Sequence, residues 1–492
     1  MKKRSEEKKK HKRKFNLQIF IITVFFMALF GAMSVYIVNY SITHKIELIS
    51  NSYNTRAKVL AKKNIRGSIY ASDGQTLVSS YIDEDGTEVR DYKFGKLFAH
   101  VVGYSVNGRM GIEDRYNYYL INTNAPVTVK AQKDQKKEKY PADDVYTTLN
   151  VDLQKVASDA LGVYKGAIIV TEPSTGKVLA MVSKPDFDPA LVAENWDTYL
   201  EDTESGVLVN RATQGLYPAG STFKILTSIE YIKENPENYG QYRYNCTGSF
   251  SKGDERIQCY HGTVHGSLDF KSSFAKSCNS SFANIGMTIN KNKFSQTLDE
   301  MLFNSDLPTD DFDCSVSRLV VNDDTPDSDM IQIAIGQGPV SISVMHLNMI
   351  TCAIANNGVL MKPYVVEKIA NCEGRSIKTY KSEKYGNIMG EDDAAILRNM
   401  MESVVQDGTG RRLKTDKYYA AGKTGSAEYG SVKGESHAWF TGYAGLTEGK
   451  EKLAPDICIT IIVEGAGAGG EYAVPIAKRI FDAYYGVSFE EE

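Results

Sequence analysis

Three short stretches carry residue types that could perform nucleophilic catalysis. In "YPAGSTFK", Ser221 stands three residues before Lys224. That is close to one helical turn, so a neutral amine at 224 would reach the 221 hydroxyl as its base. In "YYAAGKTGSAEY", Lys423 and the hydroxyls of Thr424 and Ser426 together favour a carboxylate, and Gly425 removes a side chain where something must approach the backbone closely. In "AKSCNSSF", Ser277 and Asn279 could relay a proton and hydrogen-bond a peptide carbonyl.

Taken singly, each stretch has a plainer reading. Serine is a favoured helix N-cap, and Ser-x-x-Lys recurs at Ser5/Lys8, Ser174/Lys177, Ser249/Lys252 and Ser273/Lys276. Lys423 could be an edge-strand lysine, and Ser277 could belong to a polar helix cap. Two details favour chemistry at Ser221. A capping box wants Glu or Gln where Lys224 stands. A cation in the first helical turn also opposes the macrodipole, at a cost on the order of 0.3–1 kcal/mol. The same placement, with burial, lowers a lysine's pKa. What weakens the helix is what a base needs.

The elements around these stretches have one texture. "GAIIVTEPSTGKVLAMVS" predicts a hairpin of strands Gly166–Thr171 and Val178–Ser183 around a Pro-Ser-Thr-Gly turn. A long helical region follows, carrying "GSTFKILTSIEYIKE", "SLDFKSSFAKSCNSSFANIGMTI" and "SVMHLNMITCAIANNGVLMKP". Late strands are expected in "YYAAGKTGSAEY", "HAWFTGYAGL" and "DICITIIVEGA", closed by the helix "AVPIAKRIFDAYYG". A hairpin, helices, a meander and a final helix describe an α+β fold (α/β in the broad sense), an antiparallel sheet flanked by helices. Both ends of this domain must meet in one sheet.

At 492 residues the chain needs two or three domains. A net charge of −4 predicts no nucleic-acid partner. The basic residues are uneven, however. "MKKRSEEKKKHKRK" opens the chain and an uncharged run follows, apolar from Leu17 to Val38 and about long enough to cross a hydrocarbon core of ~30 Å. A basic flank on that side keeps the N-terminus in the cytoplasm. The run is longer than a signal-peptide core, and no small-residue cleavage site follows. The expected organisation is a cytoplasmic tail (1–14), a transmembrane signal anchor (15–40), a small α+β pedestal (41–144) and an extracytoplasmic catalytic domain (145–487). The charged stretch "VKAQKDQKKEKYPADD" reads as a connector or exposed hairpin near the boundary.

Seven cysteines leave at least one unpaired. Cys246 and Cys259 share the segment "YNCTGSFSKGDERIQCYHGTVHG" and could close a disulfide in an oxidising compartment. Free thiols and a metal site with His261 or His265 stay open. The Cys246–Cys259 spacing is far wider than structural zinc motifs use, so the disulfide leads and no metal is assigned.

The joint pattern says more than its parts. Ser-x-x-Lys, then Ser-x-Asn, then Lys-Thr-Gly, in that order on one domain, is the signature of serine β-lactamases and penicillin-binding proteins. "RGSIYASDGQTLV", "GRMGIEDRYNYYL", "LNVDLQKVASDAL", "AIGQG", "DGTGRR", "HAWFTGYA" and "GGEYAVPIAKRI" also resemble blocks of class B penicillin-binding proteins, in family order. The likeness runs from about Asn51 to about Ile480 and is nearest to the short-pedestal subgroup. It implies a five-stranded transpeptidase sheet and D,D-transpeptidation of peptidoglycan, inhibited by β-lactams, with no cofactor.

The resemblance also implies roles. Ser221 would attack a D-Ala-D-Ala terminus with Lys224 as base, and the N–H groups of Ser221 and Ser426 would form the oxyanion hole. Ser277 and Lys423 would return a proton to the leaving D-Ala, Asn279 would hold the substrate amide, and Thr424, Gly425 and Ser426 would grip the carboxylate. The partners implied are stem peptides or their lipid-linked precursor, the membrane, and a membrane-embedded glycan polymerase. A β-lactamase, a carboxypeptidase and an idle scaffold or β-lactam sensor stand as alternatives.

Overall fold

The computed structural model describes residues 2–43, 55–253, 255–429, 435–449 and 451–487. It divides into two compact units, one ending at Asn64 and one spanning Ile65–Glu492. The expected start of the pedestal, at 41, adjoins residues 44–54, which lie outside the described residues.

In the first unit a helix spans Lys2–Thr43. It is long and apolar enough to cross a membrane, with a mean hydropathy of 2.4 over its most apolar window. The 22 residues from Leu17 to Val38 rise about 33 Å as a helix. Large apolar side chains point outward along this length, among them Phe20, Phe25, Met27 and Val35. The hydroxyls of Thr23 and Ser34 donate to the carbonyls of Ile19 and Phe30 at 2.8 Å. Polar groups satisfied within their own helix suit a lipid environment.

The second unit is built on two sheets. In the region expected to be catalytic lies a five-stranded antiparallel sheet in the spatial order Tyr419–Glu428, Ser436–Gly445, Ile457–Val463, Gly166–Thr171, Val178–Lys184. The two ends of the region do meet, with Ile461 opposite Ile168. These strands are buried on both faces, so period-two alternation sorts each residue to one of two cores. Ile168, Val170, Ile459 and Ile461 pack under helices Val151–Leu161 and Ala473–Tyr484. Ala167, Ile169, Ala421 and Ile462 face the other core, which holds the wholly buried helix Val344–Ala355 and the apolar side of helix Lys224–Glu234. Lys423 follows Ala421 by two residues and so looks into that second side.

The other sheet has six strands and crosses the expected pedestal boundary. Strands Ile69–Tyr70, Thr76–Ile82 and Glu88–Tyr92 continue through Asp144–Thr147 to Val366–Ala370 and Ser376–Thr379. The pedestal's own three strands leave the edge at Ile69–Tyr70 open, and the later strands pair along it. The first half of the stretch read as a connector or hairpin instead belongs to a helix, Val127–Lys136, with no buried residue. Its charged composition hid it, because a helix without an apolar face has no 3.6-residue signal.

Candidate active site

Gly220, at φ 53°, turns the chain into a 3-10 turn over Gly220–Phe223, and the α-helix begins at Lys224. A Cβ on Gly220 would lie 2.6 Å from the carbonyl oxygen of Ser426. The turn bearing Ser221 is thus pressed against the strand bearing Ser426. Gly425 matters for the same reason. A Cβ there would meet Thr222 at 3.0 Å and Trp439 at 3.1 Å, so what approaches this glycine is the turn that bears Ser221. Ser221 caps nothing: the helix N-cap position is Phe223, without a side-chain cap.

Lys224 is fully buried at the first helical position. Its Nζ lies 3.0 Å from Ser221 Oγ, 3.2 Å from Ser277 Oγ, 2.8 Å from the Ser277 carbonyl and 2.7 Å from Asn279 Oδ1. An ammonium has three hydrogens and an amine two. The carbonyl and Asn279 Oδ1 can only accept, so in the neutral form they take both N–H groups. The lone pair is then left to accept from a serine hydroxyl. Burial pushes this lysine down to about 7, against a smaller opposing influence of Cys278 and Cys259. An amine poised there is a base at neutral pH.

Lys423, also fully buried, donates to Ser277 Oγ at 2.8 Å and to the Thr424 carbonyl at 3.0 Å. Burial holds it well below the usual lysine range, and the neighbouring charge of Lys224 adds to that. Ser277 is held at φ 54°, a backbone conformation that aims its hydroxyl between the two lysines. Asn279 opens helix Asn279–Gly286 and donates from Nδ2 to the Gln258 carbonyl at 2.9 Å. Thr424 shares a short hydrogen bond with Thr409. Ser426 Oγ accepts from Gly469 N at 3.4 Å.

All the expected residues therefore converge. Ser221, Ser277, Asn279, Thr424, Gly425 and Ser426 line one open cavity of about 420 Å³, with Lys224 and Lys423 buried beneath it. Thr409, Arg411, Arg412, His265 and Glu471 also line it. Sequence reasoning had assigned these no chemistry at this cleft. The first three sit in "DGTGRR", where nothing in residue type or spacing pointed to it. The expected Cys246–Cys259 disulfide is not formed. The two sulfurs stand 3.7 Å apart as thiols, against about 2.05 Å for a bond.

Residues 166–482 match the family model described as the penicillin binding protein transpeptidase domain, and 66–143 match the penicillin binding protein A dimerisation domain. The chain belongs to the penicillin-binding protein transpeptidase family. It is 27% identical over 451 residues to the peptidoglycan D,D-transpeptidase MrdA of Acinetobacter baumannii, covering 80% of this chain and 65% of that relative. A D,D-transpeptidase domain from Eggerthella lenta superposes with a TM-score of 0.74 at 28% identity, over 86% of this chain and 99% of that one. Penicillin-binding protein A of Mycobacterium tuberculosis, solved as a penicillin G acyl-enzyme complex, shares the fold with a TM-score of 0.75 at 24% identity, over 86% and 99%. The two solved structures thus share this chain's fold over most of its length.

Proposed function

We propose that this chain is a peptidoglycan D,D-transpeptidase that works through an acyl-enzyme on Ser221 and is inhibited by β-lactams. The observation that carries this reading is the continuous hydrogen-bond chain Ser221–Lys224–Ser277–Lys423, with both lysines buried and depressed. Lys224, neutral, takes the Ser221 proton as Oγ attacks the penultimate D-Ala carbonyl of a stem peptide. The N–H groups of Ser221 and Ser426 receive the oxyanion, each worth roughly 3–4 kcal/mol. The peptide C–N bond breaks, and the proton returns through Ser277 to the amine of the departing D-Ala. Lys423 holds the Ser277 oxygen during that transfer, Asn279 engages the substrate amide, and Thr424, Gly425 and Ser426 receive the terminal carboxylate. An amine from a second stem then takes the acyl group and restores Ser221.

The apolar helix Lys2–Thr43 supports anchoring in the cell membrane. The basic residues before Phe15 favour a cytoplasmic N-terminus and an extracytoplasmic catalytic domain. We read residues 1–14, 15–40, 41–144 and 145–487 as tail, anchor, pedestal and transpeptidase domain. A membrane-embedded glycan polymerase is the partner that the class B resemblance implies for such an anchored enzyme.

Intact-protein mass spectrometry of the full chain in detergent, with and without benzylpenicillin, tests this. The expected result is one lasting adduct, absent from Ser221→Ala. An adduct lost within seconds would indicate a β-lactamase, and none at all would leave the scaffold reading. Product analysis on lipid-linked stem peptides separates transfer to an amine from transfer to water.

A further inference from the structure

Beside the active-site cleft the fold gathers three cysteines and a histidine from separate elements between residues 246 and 278. Cys246 ends strand Arg243–Cys246, which pairs with Gly266–Asp269 so that Gly266 lies opposite Cys246. This places His265, the residue before Gly266, against the Cys246 sulfur. Hairpin Ser249–Lys252/Glu255–Gln258 then returns Cys259 to the same spot, its N–H bonding the Gly248 carbonyl at 2.9 Å. Cys278 arrives from the other side, at the N-cap of helix Asn279–Gly286. The four ligand atoms all lie within 4.8 Å of one another. The three cysteines are buried.

The spacings discriminate between the available chemistries. Zinc–sulfur bonds near 2.3 Å and zinc–nitrogen bonds near 2.0–2.1 Å at tetrahedral angles require ligand edges of about 3.8 Å between sulfurs and about 3.6 Å from sulfur to nitrogen. Here Cys246 Sγ to Cys259 Sγ is 3.7 Å, Cys259 Sγ to Cys278 Sγ is 3.6 Å, and Cys246 Sγ to His265 Nδ1 is 3.5 Å. A disulfide would bring one pair to about 2.05 Å and strand the third thiol. Outer partners suited to thiolates are also in place. Ser280 Oγ lies 2.8 Å from Cys259 Sγ, Gly248 N donates to Cys246 Sγ at 3.4 Å, and Ser281 N donates to Cys278 Sγ at 3.4 Å.

We propose that Cys246, Cys259, Cys278 and His265 bind one Zn²⁺ in a closed Cys₃His site, and that the Cys278–metal bond pins the turn carrying Ser277 and Asn279. Binding displaces three thiol protons to solvent and leaves His265 neutral, so the site carries a net charge of −1. With four protein ligands it keeps no open position and is structural. Its consequence for the cleft lies in position. Cys278 sits between the hydroxyl that bridges the two lysines and the amide that bonds Lys224, in a turn held at positive φ. The second half of the proposal rests on the acyl-enzyme reading above, and the first half does not.

The test measures metal by mass spectrometry in the full chain, purified in detergent with ZnCl₂ and without chelator. One zinc per chain is expected, lost in Cys259→Ser and kept in Cys372→Ser, a change at an exposed cysteine outside the cluster. Should Cys259→Ser fail to fold, Co²⁺ exchange into the parent chain replaces it. A tetrahedral thiolate spectrum supports the site, and an octahedral or absent spectrum overturns it. Clearly substoichiometric zinc, or a Cys246–Cys259 disulfide in a non-reducing peptide map, also overturns it. Stripping the metal should slow benzylpenicillin acylation about tenfold or more, with recovery on adding ZnCl₂. Bound zinc with unchanged acylation would sink the pinning alone. A chain never acylated by penicillin would fail the acyl-enzyme reading and leave the metal measurement standing.

Discussion

Lys224 and Lys423 hold their side-chain nitrogens against one hydroxyl, Ser277 Oγ, at 3.2 and 2.8 Å. Two buried ammonium groups sharing one oxygen repel each other strongly at low dielectric. At least one must be neutral at physiological pH, and a neutral Lys224, with both N–H groups taken by obligate acceptors, keeps its lone pair for a serine hydroxyl. This arrangement makes the site's pH response predictable.

Acylation by a fluorescent penicillin should rise with pH through about 7, because only the unprotonated Lys224 can take the Ser221 proton. From pH 6 to pH 8 the neutral fraction grows from about one eleventh to about ten elevenths, so the rate should grow about tenfold. Lys224→Arg keeps a cation that never deprotonates and should lose about 10²–10⁴-fold. A flat profile across this range would remove Lys224 as the base.

Asn279→Ala should lower the rate and also move its midpoint. Asn279 Oδ1 accepts from Lys224 at 2.7 Å and so favours the charged form. Its loss lowers the lysine further, and the midpoint should shift toward acid by up to about one pH unit. A shift toward alkaline pH would mean that Asn279 supports the neutral amine instead.

Gly220→Ala places a Cβ 2.6 Å from the Ser426 carbonyl at a φ of 53°. The turn and the strand must then separate, and with them the two N–H groups proposed to hold the oxyanion. A misplacement of about 1 Å costs about 10²-fold. Strain at such a position costs about 1–3 kcal/mol. Stopped-flow acylation and thermal unfolding should therefore both worsen, while a change in melting temperature alone would show that the oxyanion geometry tolerates the shift.

The sequence was most informative where residue order carries the chemistry. Ser221, Lys224, Ser277, Asn279 and Lys423 were legible because motifs in one order restrict the fold, and the strands around them are short apolar runs bounded by turn residues. The proposed metal-ligand cluster was only partly legible: Cys246, Cys259 and His265 stood as one open possibility, and Cys278 was not joined to them. Twelve residues separate Cys246 from Cys259 and eighteen separate Cys259 from Cys278, and only strand pairing and a hairpin bring them together. The six-stranded sheet was hidden for a similar reason. Val366–Ala370 pairs with Asp144–Thr147 from more than two hundred residues away, which no local pattern announces.

The pedestal offers a test of a different kind, on stability. Glu113 is fully buried between two arginines, with Arg66 Nε on Oε2 and Arg90 Nε on Oε1, each at 2.7 Å. Arg66 also donates to Asn117 Oδ1 at 2.7 Å, and Arg90 to the Gly67 carbonyl at 2.6 Å. Burial alone would raise this carboxyl, but the two guanidinium charges outweigh it and hold it below the usual range. Glu113→Ala leaves two buried cations without their anion and should cost about 3–5 kcal/mol. A folded pKa below the unfolded one means that this stabilisation is present above the ordinary glutamate range and is lost as pH falls through the lowered folded value. Glu113→Gln should flatten that acid limb while retaining hydrogen-bonding capacity. Thermal unfolding of the full chain in detergent, from neutral pH to about pH 3, would measure both. A Glu113→Ala melting temperature equal to the parent's would show that the pair of arginines is solvated without its anion.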